Sequence, residues 1–407
     1  MNWFNPFRLI VPSSDKPHLV ASRSYLSYGK AELQDKLDRN PYSYLHVIHP
    51  AGSKTASAKR GTEAYYRLVR ERFDEFIRIG WFQESQEECL AIYRQTTETH
   101  ECTGIIGTLS IEGIRNGRLK LHEQTLEKRE RLFAKYLGIV GCHAEPILCV
   151  YPDEPETGSN VTVAMQDWTR SHAADMDFST TDRIRHTIWI LDHETSRTFA
   201  HRMEAIPSLY LADGHHRVAS SLRLADQQPN AVGKRHVLTY AVPESELIIR
   251  GYHREVSMAN WTAADWENAF DQCRQNWSWK RTPLGHNGPN HPGEIHVHHQ
   301  DESWVLQWIG AESSEVDASR LQHELFEKVL GITDARNDVR LRYLPGTFNT
   351  EALTERAAQN AGCAIFELHP VLSSQLKATA DAGGFLPPKS TWIEPKLRSG
   401  LFVHQID

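Results

Sequence analysis

The sequence predicts a mixed α/β fold of the α+β class, organised as two domains. Helix-period and strand-period patterns alternate along the whole chain, without an internal repeat or a low-complexity tract. The length of 407 residues is more than one hydrophobic core usually supports. We therefore expect a first domain over residues 1–240 and an α+β C-terminal region over residues 241–407, whose tail returns to the site of the first domain.

The composition is that of an ordinary globular protein, with 40% hydrophobic and 24% charged residues. A net charge of −7 lacks the basic surplus of proteins that neutralise nucleic-acid phosphates, so we do not expect a nucleic-acid partner. The N-terminus lacks the pattern of a secretory signal, and no run of about 18 uncharged apolar residues occurs, which favours a cytoplasmic protein without a membrane partner. The six cysteines form no CxxC pair and are expected to be reduced, mostly buried thiols.

In the first half of the chain, apolar residues at helical spacing predict an amphipathic helix over residues 62–79. A second helix is predicted over residues 124–137, with Leu132 on its buried face. The apolar run at 146–151 stops at a proline and is typical of a strand buried on both faces. Further strands are predicted at residues 91–95, 104–109 and 187–191.

In the second half, residues 209–212 predict a strand, Asp213-Gly214 a tight turn, and residues 215–225 a helix. The segments 294–298 and 304–308 have the spacing of a hairpin, preceded by a loop at 285–293. The remaining predictions are strands at 237–242, 247–249 and 364–368 and helices at 263–274, 318–330 and 350–360.

The DGHHR turn (residues 213–217) is the first candidate site. The chain has no P-loop, Rossmann or protein-kinase signature, so a nucleotide site needs another cradle. Gly214 permits a positive φ and close approach of a ligand, and the helix start offers N–H groups to an anion. Bases at that end oppose the helix macrodipole unless an anion is bound, which favours a phosphate cradle. The alternative is an N-cap at Asp213 with two surface histidines.

The HEQT segment (residues 122–125) is the second candidate. A zinc helix would need a second histidine where Leu126 stands, so a metalloprotease is not supported. Glu123 could be a general base, with anion ligands among Lys128, Arg129 and Arg131. The alternative, a charged and solvated helix face, stays open on this stretch alone.

The PPKST loop (residues 387–391) is the third candidate. Its prolines prevent a helix, and Lys389, Ser390 and Thr391 offer an ammonium group and two hydroxyls that suit phosphate oxygens. A proline-rich turn with a solvated lysine is the alternative. Separately, His296 and His298 could bind a metal from one strand face, although we expect no cysteine or carboxylate companions for them.

These motifs resemble those of a bacterial and archaeal family of uncharacterised proteins of about this length. The matching elements are NPYSYLHV (40–47), HEQT (122–125), ADGHHR (212–217), His253-Arg254 and PPKSTWIEPKLRSGL (387–401). The last element is long and specific. The family is described by an unknown-function label, so the resemblance alone implies no activity.

Three of the elements also resemble, in the same order, those of the archaeal free-serine kinase of the ParB/sulfiredoxin-like superfamily, which carries HEQ, DGHHR and a late PKTT. This resemblance implies a ParB/sulfiredoxin-like nucleotide-binding core with additional α/β segments, ATP or ADP with Mg²⁺ as cofactors, and phosphoryl transfer to free L-serine or a similar hydroxy amino acid. It implies Glu123 as catalytic base, assisted by Asp213 and His216, with Asp213 at the metal. The implied cofactor-binding residues are His122, Gly214, His215, Arg217, Lys389, Ser390 and Thr391.

Two other functions use the same cradle. A nucleotide hydrolase or phosphodiesterase would replace the alcohol by water. A ParB-like nucleotide-sensing protein could associate with DNA, against which the acidic net charge and the lack of a recognisable helix-turn-helix weigh. The sequence does not decide between ATP and ADP, and it identifies neither the acceptor nor the oligomeric state.

Overall fold

A computed structural model of the chain describes residues 2–50, 58–153, 159–284, 287–311 and 315–407. The predicted mixed α/β class is confirmed, since these residues form several sheets and 13 α-helices. Gly285 and His286 of the predicted loop lie outside the described residues.

Strands and helices alternate along the chain and are numbered separately in chain order. The strands are β1 (Phe4–Asn5), β2 (Phe7–Pro12), β3 (Phe82–Cys89), β4 (Ala91–Thr96), β5 (Glu101–Ser110), β6 (Leu119–Lys120), β7 (Cys142–His143), β8 (Ile147–Tyr151), β9 (Met176–Ser179), β10 (Arg185–Ile190), β11 (Leu209–Asp213), β12 (His236–Pro243), β13 (Ile248–Gly251), β14 (His253–Ser257), β15 (Trp277–Thr282), β16 (Glu294–His299), β17 (Glu302–Trp308), β18 (Leu341–Leu344), β19 (Cys363–Leu368), β20 (Thr391–Glu394) and β21 (Val403–Gln405). The α-helices are α1 (Pro17–Val20), α2 (Lys30–Arg39), α3 (Leu45–Ile48), α4 (Glu63–Arg78), α5 (Ile111–Gly113), α6 (Glu127–Val140), α7 (Ser159–Ser171), α8 (His193–Glu204), α9 (His215–Gln227), α10 (Ala263–Gln272), α11 (Asp317–Leu321), α12 (Thr350–Gln359) and α13 (Ser373–Asp381).

The chain divides into two compact units whose sequences interleave. Unit 1 comprises Met1–Lys120, Thr125–Leu247 and Pro395–Asp407. Unit 2 comprises Leu121–Gln124 and Ile248–Glu394. A four-residue segment from the first half of the chain therefore belongs to the compact unit that the second half forms.

Unit 1 contains a nine-stranded sheet and a four-stranded sheet. The main path of the large sheet is β6-β11-β8-β12-β5-β4-β10-β9, and β1 pairs with β5. The pairs β6–β11 and β8–β12 are parallel, whereas the others are antiparallel. All five residues of β8 are buried, which confirms the strand predicted from the continuous apolar run. The antiparallel small sheet has the order β3-β2-β21-β7.

The bounds of the two helices predicted in the first half differ in accuracy. Helix α4 is confirmed, and the Thr62 hydroxyl caps it by accepting a hydrogen bond from the Tyr65 amide at 3.4 Å. Helix α6 begins three residues later than predicted. The expectation that Leu132 is buried is wrong, because its side chain is 48% exposed and the buried stripe of α6 runs through Ala134, Leu137 and Val140.

Unit 2 contains an antiparallel six-stranded sheet with the order β15-β17-β16-β19-β14-β18. The predicted hairpin is confirmed as β16 and β17. Helix α10 packs aromatic side chains on one face of this sheet, with the ring centroids of Trp266 and Phe366 5.8 Å apart and those of Phe270 and Trp304 5.7 Å apart. A separate pair, β13 and β20, holds the strand that follows the PPKST loop.

The helix predicted over residues 318–330 is only partly α-helical. Helix α11 ends at Leu321 and continues as a π-helical segment over Gln322–Glu327. A hydrogen bond from the Leu330 amide to the Leu325 carbonyl, 3.0 Å long, spans the five residues typical of that wider geometry. The adjacent side chains of Leu325 and Phe326 are both buried.

All six cysteines are free thiols, five of them buried and Cys363 partly buried. Among the residues that the structure describes, no helix has the length and apolar character needed to span a bilayer.

Candidate functional site

The DGHHR turn connects a strand to a helix, as the sequence predicts. Strand β11 ends at Asp213, and helix α9 begins at His215. Gly214 is the N-cap residue, with φ 109° and ψ 22°. A Cβ atom there would lie 2.8 Å from Ile147 Cγ2 and 3.0 Å from Arg217 Nε, so the position requires glycine for its conformation and for space.

A β-bulge precedes the turn. In the pairing of β11 with β8, Leu211 lies opposite Cys149 and Asp213 lies opposite Leu148, which leaves Ala212 as an extra residue. Bulges bend a strand and redirect its side chains, and they recur next to active sites. The Asp213 side chain is 48% exposed at this strand end.

Arg217 is held by two carboxylates rather than projecting alone. Its Nη1 donates to Glu145, and its Nη2 donates to Asp213 Oδ2 at 3.1 Å, while only 13% of its side chain is exposed. Burial alone would lower the pKa of Arg217, but the carboxylates of Glu145 and Asp213 outweigh it and raise the pKa above its usual value. The sequence argument that this charge needs a bound anion therefore does not hold for Arg217, and its role as a nucleotide ligand stays a prediction.

Glu145 is the residue near this turn that sequence reasoning missed. Its Oε2 accepts a hydrogen bond from Ser399 Oγ at 2.8 Å, in addition to the Arg217 contact. Ser399 belongs to the late PPKSTWIEPKLRSGL element, whose last residues lie in unit 1. No spacing rule in the sequence indicates Glu145, because its partners are far away along the chain. It joins the DGHHR turn to the end of the late element.

The two histidines of the turn occupy the first turn of α9. His215 is 8% exposed and His216 is partly exposed. Gly214 has no side chain with which to cap this helix of 13 residues. Backbone N–H groups and imidazole donors at a helix N-terminus suit an anionic ligand. The phosphate cradle at His215 and His216 stays a prediction.

A second ion-pair cluster anchors the late element in unit 1. Asp182 accepts hydrogen bonds from Arg398 Nη2 at 2.7 Å, Arg23 Nη2 at 2.5 Å and Thr180 Oγ1 at 2.6 Å. Burial by itself would raise the pKa of Asp182, but the hydrogen bonds from Thr180 and Arg398 and the arginine charges hold it well below its usual range. Arg398 and Ser399 thus fix the end of the late element through two carboxylates.

His122 and Glu123 lie in unit 2 together with the PPKST loop. The Leu386 amide, just before the loop, donates to the His122 carbonyl at 2.8 Å. His122 is 1% exposed, and burial lowers its pKa to about 4, so its imidazole is neutral near pH 7. Glu123 is partly exposed. The structure thus ties the backbone of the predicted base segment to the approach of the predicted phosphate loop.

The three polar residues of the PPKST loop have different surroundings. Lys389 is exposed in a turn with φ 58°, and its Nζ lies 5.6 Å from the ring centroid of Tyr252. Ser390 is buried, and its hydroxyl donates to the Pro387 carbonyl at 2.8 Å. Thr391 begins β20. Lys389 is therefore the member that presents a charge, while the Ser390 hydroxyl stabilises the turn.

The predicted site residues are divided between the two units. His122, Glu123, Lys389, Ser390 and Thr391 belong to unit 2, and the DGHHR turn belongs to unit 1. The structure thus brings the HEQT segment and the PPKST loop into one compact unit. Their combination with the DGHHR turn stays a prediction.

The histidine-rich strand of unit 2 forms imidazole–carboxylate pairs, so the expectation that His296 and His298 have no carboxylate companions is wrong. His296 and His298 lie on one face of β16 with ring centroids 6.5 Å apart. His296 Nε2 lies 2.6 Å from Glu294 Oε1, and His298 Nε2 lies 3.2 Å from Glu367 Oε2. Within the described ranges, no three His, Cys, Asp or Glu side chains are grouped so that they could hold a metal ion. His296 and Glu294 also line a cleft of about 770 Å³.

Comparison with solved structures finds several distant likenesses. SbnI with C-terminal truncation from Staphylococcus aureus has 13% identity and a TM-score of 0.37, with 71% of this chain and 82% of that chain covered. A free serine kinase in complex with AMP has 13% identity and a TM-score of 0.35, covering 72% and 90%. A conserved hypothetical protein from Pyrococcus furiosus has 12% identity and a TM-score of 0.34, covering 72% and 93%. Likenesses of this size assign neither a fold nor an activity to this chain.

Comparison by sequence gives a family without an activity. No curated protein matches the chain. The family model described as "Protein of unknown function (DUF1015)" matches residues 4–325, which include the HEQT segment, the DGHHR turn and the His253-Arg254 pair. The chain therefore belongs to the DUF1015 family.

Proposed function

We propose that this protein is a nucleotide-dependent phosphotransferase with a ParB/sulfiredoxin-like core, which moves a phosphoryl group from ATP or ADP to the hydroxyl of free L-serine or a similar hydroxy amino acid. The observation that carries the proposal is the geometry of the DGHHR turn. A bulged strand end, a glycine with φ 109° and an uninterrupted helix of 13 residues form the kind of strand–turn–helix junction at which phosphate groups bind.

In this proposal the DGHHR turn binds the nucleotide phosphates. The backbone N–H groups of the first turn of α9 and the imidazoles of His215 and His216 donate to phosphate oxygens, and His216 stabilises the charge of the transferring group. Gly214 allows the phosphates to approach the backbone closely. Arg217 contributes positive charge and, through its bond to Asp213 at 3.1 Å, fixes the carboxylate at the strand end.

The residues of unit 2 serve the acceptor and the outer phosphate. Glu123 accepts the proton of the substrate hydroxyl as that oxygen attacks phosphorus, and the neutral His122 donates or accepts a hydrogen bond beside it. The exposed ammonium of Lys389 neutralises charge on the phosphate oxygens, and the Thr391 hydroxyl donates a hydrogen bond to them. The Ser390 hydroxyl supports this site through its hydrogen bond to the Pro387 carbonyl. The hydrogen bond between Leu386 and His122 supports a common role for the two segments. Catalysis then consists mainly of positioning and charge neutralisation.

The residues present fit a Mg²⁺ ion that is bound together with the nucleotide, but they do not fit a site made of protein ligands alone. The described part of the chain has no cluster of three potential protein ligands, which a dedicated cage would need. Magnesium at nucleotide sites is commonly held by one or two carboxylates together with phosphate oxygens, and the 48% exposed Asp213 would supply that carboxylate. When bound, the ion would neutralise charge on the phosphate oxygens.

The test is to incubate the purified chain with ATP or ADP and a panel of hydroxy amino acids and small hydroxy acids, and to identify phosphorylated products by mass spectrometry. We expect phosphoserine or a related phosphate ester. Glu123→Gln should abolish transfer and leave nucleotide binding intact, because the amide cannot accept the proton. Glu127→Gln is the matched control, since Glu127 begins α6 four residues later and is 66% exposed.

Full turnover by Glu123→Gln would contradict the assignment of the base. Release of inorganic phosphate without a labelled amino acid would indicate a nucleotide hydrolase or phosphodiesterase instead. Nucleotide binding without turnover, combined with retention on DNA that weakens as salt rises, would indicate a nucleotide-sensing DNA-associated protein.

A further inference from the structure

Arg254 is a buried arginine in unit 2 that contacts the backbone of the PPKST loop. Arg254 belongs to β14 and is 3% exposed. Its Nη1 donates to the carbonyl oxygen of Lys389 at 2.9 Å and to that of Tyr252, and its Nη2 lies 3.4 Å from the Pro388 carbonyl. One guanidinium group therefore contacts three backbone carbonyls.

Among the described residues, no carboxylate is paired with Arg254. None of the ion pairs in the described ranges involves it, and its cation lies 4.8 Å from the ring centroid of Tyr343. Burial lowers the pKa of this guanidinium to about 10. A buried charge without an acidic partner is costly, so packing alone would favour an apolar residue here. The hydrogen bonds to the three carbonyls compensate part of this cost and explain why an arginine occupies the position.

The Arg254 guanidinium donates hydrogen bonds to the two residues that determine the position of the Lys389 ammonium, namely Lys389 itself and Tyr252. Lys389 has a φ of 58°, in the left-handed region that a lysine rarely adopts without support. Its Nζ lies 5.6 Å from the Tyr252 ring, and the Tyr252 carbonyl accepts from the same Nη1 atom of Arg254 that binds the Lys389 carbonyl. Arg254 thus connects the backbone of Lys389 to the residue against which its side chain lies.

We infer that Arg254 is a positioning residue that fixes the turn carrying Lys389 and thereby presents the Lys389 ammonium to the phosphate group of the nucleotide. The inference rests on the proposed function, in which Lys389 is a phosphate ligand. Arg254 itself touches no substrate. Its planar fork suits several carbonyls at once, which a lysine ammonium in its place could not reach together.

The first measurement reports on the turn without requiring activity. Endoprotease Lys-C cuts after lysine, and Lys389 is exposed, so the rate of cleavage at the Lys389–Ser390 bond measures how firmly the turn is held. We expect Arg254→Lys to increase this rate roughly tenfold relative to other exposed lysines, as a supporting residue of a binding group would. The control is Arg250→Gln, because Arg250 is 44% exposed, makes a separate ion pair with Glu394 at 2.9 Å, and its replacement by glutamine creates no new Lys-C site.

The second measurement is a double-mutant cycle on nucleotide binding. Arg254→Lys should lower kcat/KM for the nucleotide by about tenfold, and Lys389→Met should lower it by at least as much. If Arg254 acts through Lys389, the double variant is no worse than Lys389→Met alone. A general structural defect would instead add to the Lys389 effect.

Three results would overturn the inference. The first is a rate of cleavage at Lys389 that is unchanged in Arg254→Lys. The second is full additivity of the effects of Arg254→Lys and Lys389→Met on kcat/KM. The third is cleavage of the folded wild type at Lys389 as rapid as that of an unfolded chain. The wild-type measurement alone can overturn the inference, even if the variant does not fold. Absence of nucleotide binding by the wild type would remove the proposed function and the phosphate role of Lys389, while the cleavage rates would still show whether Arg254 holds the turn.

Discussion

Replacing Gly214 by alanine tests the geometry of the DGHHR turn most directly. A residue with a side chain pays roughly 1–2 kcal/mol in the left-handed region, and φ is 109° here. The new Cβ would also lie 2.8 Å from Ile147 Cγ2 and 3.0 Å from Arg217 Nε, and overpacking of this kind costs typically about 1–3 kcal/mol. We therefore expect Gly214→Ala to lower the free energy of unfolding by about 2–5 kcal/mol.

Gly80→Ala is the matched control for this substitution. Gly80 also lies in unit 1 and has a φ of 79°, but no atom lies within 4 Å of the position of its Cβ. Its alanine variant should therefore lose only the conformational part, roughly 1–2 kcal/mol. The difference between the two variants isolates the steric cost at Gly214, about 1–3 kcal/mol.

The assay is urea denaturation of the wild type and both variants, followed by far-ultraviolet circular dichroism. Because the chain has two compact units, the unfolding transition of each protein is also recorded in the near-ultraviolet tryptophan band. A single free energy of unfolding is assigned only if the two transitions coincide. Nucleotide affinity is measured on the same samples, and Gly214→Ala should weaken it whereas Gly80→Ala should not. Equal losses of stability in the two variants, within about 0.5 kcal/mol, would refute the reasoning that the turn is sterically closed.

Three further predictions concern charged groups. Glu145→Gln should lower the free energy of unfolding by about 1.5–3 kcal/mol in urea titrations, because it weakens a charged hydrogen bond to Arg217; a change under about 0.5 kcal/mol would contradict this. The pKa of Asp182 is lowered in the folded state, so on acidification the unfolded chain takes up this proton first, and the stability that Asp182 provides is present above about pH 4 and lost as the pH falls further. Asp182→Asn should therefore be less stable than the wild type at pH 7 and should lose less stability than the wild type between pH 5 and pH 3. Parallel stability profiles of the two proteins over this pH range would disprove the prediction. Lys389→Gly should be more stable in thermal unfolding than Lys389→Ala by about 1 kcal/mol, because glycine accepts the φ of 58° without strain; the reverse order would be inconsistent with that backbone conformation.

Features that depend on neighbouring residues could be predicted from the amino-acid sequence. The continuous apolar run of β8 predicted a strand buried on both faces, and the turn at Gly214 was predicted from a strand pattern, a glycine and a helix pattern in succession. Such local signals suffice because backbone conformation and side-chain periodicity are set within a few residues. The same reasoning was less accurate for α6, where helical spacing alone did not show which stripe is covered and Leu132 is exposed.

Contacts between residues that are far apart along the chain could be identified only from the folded protein. Glu145 lies 72 positions from Arg217 and 254 positions from Ser399, yet it contacts both. Segment Leu121–Gln124 joins unit 2, although the residues on both sides of it belong to unit 1. No local pattern encodes such contacts, because they result from how helices and sheets pack once their apolar faces are buried, and that packing also places Arg254 beneath the backbone of the PPKST loop.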